Sequence, residues 1–318
     1  MRQNYIKSML VALLLLCSTV ASAHDFEVDG IYYNITSTEN LTVAVTCRGE
    51  YYGSYSNEYS GDVVIPETVI YQEKTYNVTS IEEAFYECTS LTSVIIPFSV
   101  TSIKGYAFYD CKSLGHIDIP FGIKEIRNVS FANCSSLKSI NLPNSVEKIG
   151  EFAFKGCSSL SSLYIPNSVD SIGKRAFEHC FSLDSIVLPN SVTQMGSGVF
   201  AYCGALKIVK LPDNITSLDC DCPSWCANCH DGFFIGCSSL QSIVIPKNVS
   251  KIDKYTFSGC SSLKSVVMHS NIIEIDVCAF EGCSSLQSIT LPDSITTIRK
   301  EAFKNCRSLC EFRTEGSL

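Results

Sequence analysis

The feature that most constrains this sequence is a phenylalanine followed three residues later by a cysteine, which recurs ten times. Each cysteine lies 23 residues after the previous one, except for a single step of 34 residues. A period in the twenties indicates a solenoid, in which each repeat buries its apolar edge only against its neighbours. The sequence therefore predicts a stack of ten similar rungs. The periodic cysteines are Cys88, Cys111, Cys134, Cys157, Cys180, Cys203, Cys237, Cys260, Cys283 and Cys306.

One complete repeat, CSSLSSLYIPNSVDSIGKRAF over residues 157–177, shows how each unit is built. Leu160, Leu163 and Ile165 fit L-x-x-L-x-L, the strand-forming part of a leucine-rich repeat. Alternation along the strand directs Leu163 and Ile165 inward, and Pro166 ends the strand because it has no N–H to donate. We therefore predict a leucine-rich repeat solenoid. Its repeat is of the α/β type but mostly β, with irregular return segments, a parallel β-sheet face and an N-terminal β-rich cap.

The repeat resembles that of the BspA-like family of leucine-rich repeat surface proteins, which runs close to L-x-x-I-x-I-P-x-x-V-x-x-I-G-x-x-A-F-x-x-C. The likeness covers roughly residues 79–318, and the start HDFEVDGIYYNITS is similar to the capping segment of such bacterial chains. The resemblance implies an exported protein used in adhesion to host proteins or to other cells. The chain stops at Leu318 without a visible closing cap or anchor, which favours a truncated or short member.

The sequence divides into three parts. Residues 1–23 combine a charged start, a short apolar run and Ala21-Ser22-Ala23, as a secretory signal peptide does. A retained membrane anchor would need about 20 apolar residues, more than this run contains. Lipidation at Cys17 is a further alternative, disfavoured by bulky Leu16. Residues 24–78 alternate like strands without repeating and form the expected β-rich cap, and residues 79–318 form the solenoid.

The ten periodic cysteines would suggest a disulfide framework in an exported chain. Each follows its phenylalanine at a fixed position, however, so the cysteines are expected to form one inward column of small apolar side chains. Neighbouring rungs are about 4.8 Å apart, which does not by itself exclude disulfides. Equivalent side chains in a column need not point at one another, and we predict unbridged thiols.

The 34-residue step contains an eleven-residue insertion, CDCPSWCANCH, at residues 220–230. Cys226-Ala227-Asn228-Cys229-His230 has the C-x-x-C-H spacing that attaches c-type haem, and four thiolates also match a zinc site in residue type. Haem needs an apolar pocket, and structural zinc usually draws cysteine pairs from separated segments. Two disulfides within the loop are the favoured interpretation, and they would present Trp225 outward. The candidate disulfide cysteines are Cys220, Cys222, Cys226 and Cys229, and no cofactor or metal is expected.

Several classes of function find little support in the sequence. No run of Lys or Arg could follow a phosphate backbone, and the net charge is −8, which argues against nucleic acid. Nucleotide-binding and hydrolase fingerprints are missing. His116 and Asp118 share one rung and Ser139 should lie beside them, but serine fills that position in most repeats. An open strand face also offers no evident oxyanion pocket, so we expect no enzyme.

The outward strand positions vary from rung to rung on a constant frame, which favours a binding surface for a protein or glycan chain. A merely solvated serine-rich face is the alternative. The leading hypothesis is a secreted or cell-surface recognition protein for an extracellular ligand, with no membrane span after signal removal. A haem or metal carrier and a structural surface-layer component are the rivals, and the oligomeric state stays open. The candidate contacts are Phe98, His116, Asp118, Phe121, Asn141, Tyr164, Lys210 and Trp225.

Overall fold

The computed structural model describes residues 24–49, 57–218 and 231–314. Within these ranges the chain contains no helix and winds as a β-solenoid of about ten turns with parallel strands. The predicted leucine-rich repeat solenoid is therefore confirmed. Each turn has a strand on one side, called the strand face below, and a shorter bridge on the opposite side, called the return side.

The strand face carries one short strand in nearly every turn. Residues at equivalent repeat positions are in register, as in the pairing of His116 with Ser139 and of Val187 with Lys210. Because these pairs are parallel, outward side chains from successive turns form columns across the face. The strands are β4 (Gly61–Val64), β7 (Leu91–Ile95), β9 (His116–Asp118), β11 (Ser139–Asn141), β14 (Ser185–Val187), β16 (Ile208–Lys210), β17 (Ser242–Val244), β19 (Ser265–Val267), β21 (Ser288–Leu291) and β23 (Glu311–Thr314).

The return side is held by two-residue strands in parallel pairs and by tight turns. Cys157 N–H donates to the Phe154 carbonyl at 3.1 Å, and Leu160 N–H donates to the Cys157 carbonyl at 3.1 Å. Turns of this kind bring the chain back to the strand face without a helix. The return strands are β8 (Ser102–Ile103), β10 (Glu125–Ile126), β12 (Lys148–Ile149), β13 (Ser171–Ile172), β15 (Gln194–Met195), β18 (Lys251–Ile252), β20 (Glu274–Ile275) and β22 (Thr297–Ile298).

A second sheet covers the first turn of the stack. Its order is β1-β2-β3-β6-β5, with antiparallel pairs except where β3 meets β6. Strand β6 also pairs in parallel with β8 of the return side, so this sheet continues directly into the solenoid. Its strands are β1 (Phe26–Val28), β2 (Ile31–Ser37), β3 (Thr42–Thr46), β5 (Thr68–Tyr71) and β6 (Lys74–Ile81).

A column of stacked phenylalanine rings fills the centre of the solenoid. Successive ring centroids are 5.0 to 5.7 Å apart, with interplanar angles of 15° or less. Phe200 and Phe234 flank the insertion, yet their centroids are 5.7 Å apart, the same distance as between Phe177 and Phe200. The extra residues therefore leave the central stack unbroken. The column comprises Phe85, Phe108, Phe131, Phe154, Phe177, Phe200, Phe234, Phe257, Phe280 and Phe303.

The periodic cysteines form the predicted inward column, and all ten are free thiols. Their sulfurs have a partner that the sequence did not reveal. From Cys111 onward, each Sγ lies 3.0 to 3.2 Å from the carbonyl oxygen of the phenylalanine 26 or, across the insertion, 37 residues earlier. A thiol is a weak donor, and here it adds a second hydrogen bond to a buried carbonyl. The column thus joins consecutive turns through S–H···O contacts.

One turn departs from the predicted strand pattern. Leu163 and Ile165 are buried and Tyr164 is exposed, as alternation requires, but residues 160–166 pair with neither neighbouring turn as a regular strand. On the return side the same turns stay paired, through β12, β13 and β15. At the strand face, a shallow depression of about 430 Å³ lies beside Tyr164, between this turn and the turn of β14.

Candidate binding surface on the strand face

The candidate surface comprises the outward side chains of the strand face and the residues just beyond each strand. Phe98, Phe121 and Tyr164 are 76%, 69% and 68% exposed. Phe98 and Phe121 follow the prolines that end β7 and β9, at equivalent positions in adjacent turns. Large apolar side chains that are gathered on one face favour contact with another molecule.

Hydrogen-bonded polar side chains lie between the aromatic residues. His116 Nδ1 is 2.8 Å from Ser139 Oγ, and His116 Nε2 is 3.2 Å from Asp118 Oδ1. Asn141 donates from Nδ2 to the same Asp118 oxygen at 2.6 Å. The four residues, called the His116 cluster below, are therefore assembled by strand register, as the sequence predicted for His116, Asp118 and Ser139.

The His116 cluster has the residue types of a Ser-His-Asp triad but an open setting. The side chains of His116 and Asp118 are 48% and 71% exposed. Nearby backbone N–H groups are used within the sheet, as where Ile119 N–H donates to the Asn141 carbonyl at 3.2 Å. An oxyanion hole needs free, water-shielded donors, whereas this N–H is already bonded and the His116 and Asp118 side chains are open to solvent. The geometry suits hydrogen bonding to a ligand rather than acyl transfer.

A second polar group lies on the first strand of the face. Thr92 and Ser93 donate from their hydroxyls to Asp62 Oδ1 at 2.8 and 2.6 Å. These hydrogen bonds lower the pKa of the Asp62 carboxyl, which stays ionised at neutral pH. The amino-terminal half of the face thus presents pre-arranged acceptors between its aromatic rings.

The carboxyl-terminal half of the face differs, because aliphatic side chains replace the aromatic rings. Val187, Ile208, Val244 and Val267 are 48 to 65% exposed. The predicted contact Lys210 lines a cleft of about 720 Å³ between the turns of β16 and β17. The other basic residues of this cleft, Lys247 and His269, are not among the predicted contacts. The latter could have been found, since it replaces a proline that the other turns carry after the strand.

The remaining predicted residues lie in the insertion. Cys220, Cys222, Trp225, Cys226 and Cys229 fall outside the described residues, so the two-disulfide interpretation stays a prediction. Across residues 24–49, 57–218 and 231–314, no group of three or more potential ligands is placed to hold a metal ion. Those same residues include no helix of the length and apolarity that crossing a membrane requires.

The chain re-enters the described structure at a buried acid. Asp231 accepts hydrogen bonds from Lys174 Nζ at 3.0 Å and from the guanidinium of Arg175. Both basic residues lie two turns earlier in the stack. Since Asp231 is largely buried, removing either basic partner would leave a carboxylate short of compensation. This ion pair fixes the end of the insertion to the return side.

Comparison with known proteins identifies the repeat. The family described as BspA type leucine rich repeat region matches residues 62–157, 101–230 and 227–318. The chain belongs to this family. Among curated proteins no sequence matches this BspA-type chain.

Solved structures share its fold. A leucine-rich repeat protein from Bacteroides ovatus ATCC 8483 is 29% identical, over 91% of this chain and 88% of that one, with a TM-score of 0.50. A leucine-rich repeat protein from Eubacterium ventriosum ATCC 27560 is 24% identical over 81% and 67%, with a TM-score of 0.57. The pneumococcal vaccine antigen PcpA is 18% identical over 91% and 81%, with a TM-score of 0.53. The latter two likenesses concern the fold alone.

Proposed function

We propose that this protein is an exported, non-enzymatic recognition protein that binds a macromolecule, a protein or a glycan, through its strand face at the cell surface. The observation that carries the proposal is the distribution of exposed apolar side chains. Of the fifteen large exposed apolar side chains in the described parts of the chain, nine lie on this single face: Val64, Ile95, Phe98, Phe121, Tyr164, Val187, Ile208, Val244 and Val267. Apolar side chains gathered on one face mark an interaction site, whereas singly scattered ones do not.

The shape of the face supports a large ligand. The depression beside Tyr164 is open, and the strand face continues over several turns in each direction. Repeat proteins use such extended surfaces for partners that span several repeats, and small molecules bind in enclosed pockets instead. Membership of the leucine-rich repeat class, whose members generally bind or scaffold other proteins, points the same way.

Export is supported by the composition of residues 1–23. If the signal is cleaved after Ala23, the secreted protein should begin at His24. Amino-terminal sequencing of protein collected from the medium or the cell surface tests this directly. Recovery of the full chain, still starting at Met1, in the cell interior would contradict export.

The binding proposal is tested by screening the full chain against immobilised extracellular proteins and a glycan array. For any ligand found, Phe121→Ala and Tyr164→Ala should each weaken binding at least tenfold, since exposed aromatic residues are frequent hot spots. Ile70→Ala is the matched control, because Ile70 is 68% exposed but lies on β5 of the other sheet. Wild-type affinity in both face variants would place the site elsewhere.

A further inference from the structure

The cleft between the turns of β16 and β17 differs from the rest of the strand face in its charge. Lys210, Lys247 and His269 contribute basic side chains from three consecutive turns. Neither lysine forms an ion pair with any residue in the described parts of the chain. The protein as a whole has a net charge of −8, so this concentration of unpaired positive charge is local.

The one acid that lines the cleft is already engaged. Asn190 donates from Nδ2 to Asp213 Oδ2 at 3.1 Å, and Asp213 N–H donates to Asn190 Oδ1 at 3.1 Å. This reciprocal pair holds the Asp213 carboxylate against the preceding turn. Lys247 occupies the same repeat position as Asp213 one turn later. The cleft therefore offers cationic groups that an incoming anion can reach.

The walls of the cleft are aliphatic. Val209, Leu211, Val244, Ile245 and Pro246 line it, together with Asn248, and its lining residues include no Phe, Tyr or Trp. A glycan would bring many hydroxyl groups against this apolar lining, and burying a hydroxyl without a hydrogen-bonding partner costs free energy. A peptide that alternates acidic and aliphatic side chains matches both the walls and the charge.

His269 sets this part of the face apart from the other turns. The corresponding residues in the neighbouring turns are Pro246 and Pro292, and both are buried, whereas His269 is half-buried at the cleft. The substitution adds a hydrogen-bonding group and a backbone N–H where the repeat otherwise has neither. His269 interrupts the repeat at the cleft, whereas the phenylalanine column and the cysteine column are uninterrupted. This placement favours a role in binding.

On the basis of the proposed recognition role of the strand face, we propose that this cleft binds an acidic, aliphatic peptide segment of a protein partner. Carboxylates of the segment contact Lys210 and Lys247, and its aliphatic side chains pack on the cleft walls. The amino-terminal aromatic half of the face then contacts other parts of the partner. The ligand class is thus a protein with an exposed acidic strand or loop.

The test uses the full chain and a fluorescent synthetic peptide of alternating Glu and Val residues. Binding of the peptide is measured by fluorescence anisotropy at low salt. Saturable binding is expected, and the matched Gln–Val peptide should bind at least tenfold more weakly. Lys210→Gln and Lys247→Gln should each weaken binding at least fivefold. Lys138→Gln is the control, because Lys138 is an exposed lysine on the amino-terminal half of the same face.

Three results would overturn the inference. The first is that the Glu–Val peptide shows no saturable binding, and the second is that the Gln–Val peptide binds equally well. The third is that the cleft binds heparin instead of the Glu–Val peptide, with the same dependence on Lys210 and Lys247. His269→Pro restores the repeat residue and provides a second variant that should fold, and it should weaken peptide binding severalfold. None of these results depends on Phe121 or Tyr164, so the wider proposal for the strand face can survive the failure of this one.

Discussion

The inner columns of this protein, formed by the stacked phenylalanines and cysteines, keep the same residue in every turn, whereas the strand face changes its residues from turn to turn. Along the phenylalanine and cysteine columns, every turn contributes the same residue in the same geometry, with ring spacings of 5.0 to 5.7 Å. On the strand face, equivalent positions carry Asp118, Asn141, Tyr164, Val187 and Lys210 in five successive turns. The stability of the solenoid therefore resides in the residues that repeat, and the binding specificity that we propose would reside in the outward residues that vary. Substitutions in the two regions should separate accordingly.

The largest expected effect is loss of stability at alkaline pH through the cysteine column. Burial raises the pKa of the Cys88 thiol from 9.0 to about 11 and that of the Cys203 thiol to about 12. The unfolded chain then releases protons that the folded chain retains, so this contribution to stability is complete below pH 9 and declines as the pH rises toward 12. Each such thiol lowers the free energy of unfolding by about 1.4 kcal/mol per pH unit in that interval.

Urea unfolding at pH 7 to 11 measures this decline. Buried Tyr33 adds to it with the same sign, since burial raises its pKa to about 12. Cys157→Ala removes one column thiol and should make the decline shallower, whereas Cys310→Ala removes an exposed thiol and should not. A pH dependence identical in the wild type and Cys157→Ala would show that the column does not control alkaline stability.

The next largest effect is expected at the phenylalanine column. Phe154 is fully buried between Phe131 and Phe177, and truncating a buried aromatic residue typically costs about 3–5 kcal/mol. We therefore expect Phe154→Ala to lower the free energy of unfolding by about this amount in chemical denaturation. The matched change Phe121→Ala, at a side chain that is 69% exposed, should cost less than about 0.5 kcal/mol. Equal losses in the two variants would contradict the division between the inner columns and the face.

The smallest of these effects concerns the sulfur hydrogen bond. Cys157→Ala at pH 7 removes the contact between Sγ and the Phe131 carbonyl oxygen, 3.1 Å apart, together with a little buried volume. The carbonyl keeps its bond from Cys134 N–H at 3.3 Å, so the loss should be about 1–2 kcal/mol. A stability gain in this variant would show that the thiol is strained in the column.

Much of the fold could be predicted because repetition multiplies a weak pattern. A single L-x-x-L-x-L segment is ambiguous, but ten copies in register require stacked turns, and register alone placed Ser139 beside His116. The sulfur–carbonyl bonds could not be predicted in this way. They depend on the direction of each Sγ, and hydrophobic periodicity reports only that the cysteine points inward.

The stacking of the turn after the insertion is a second feature that could not be predicted from the sequence. The eleven extra residues between Asp219 and Asp231 give no indication whether the next turn stacks normally. The distance of 5.7 Å between Phe200 and Phe234 shows that it does, and hence that Lys210 and Lys247 lie on adjacent turns. The cleft between them and the depression beside Tyr164 could not be predicted, because residue type does not report how closely neighbouring turns approach.

The uninterrupted columns also bear on how such a protein evolves. Each turn shows the same ring and the same thiol to the turn before and the turn after it, so duplicating or deleting one repeat in register would restore every inner contact. A newly duplicated turn would leave its outward residues free to diverge without disturbing the stack. The length of the protein and the character of its surface can therefore change independently, so a lineage can acquire new surface residues while the fold stays the same.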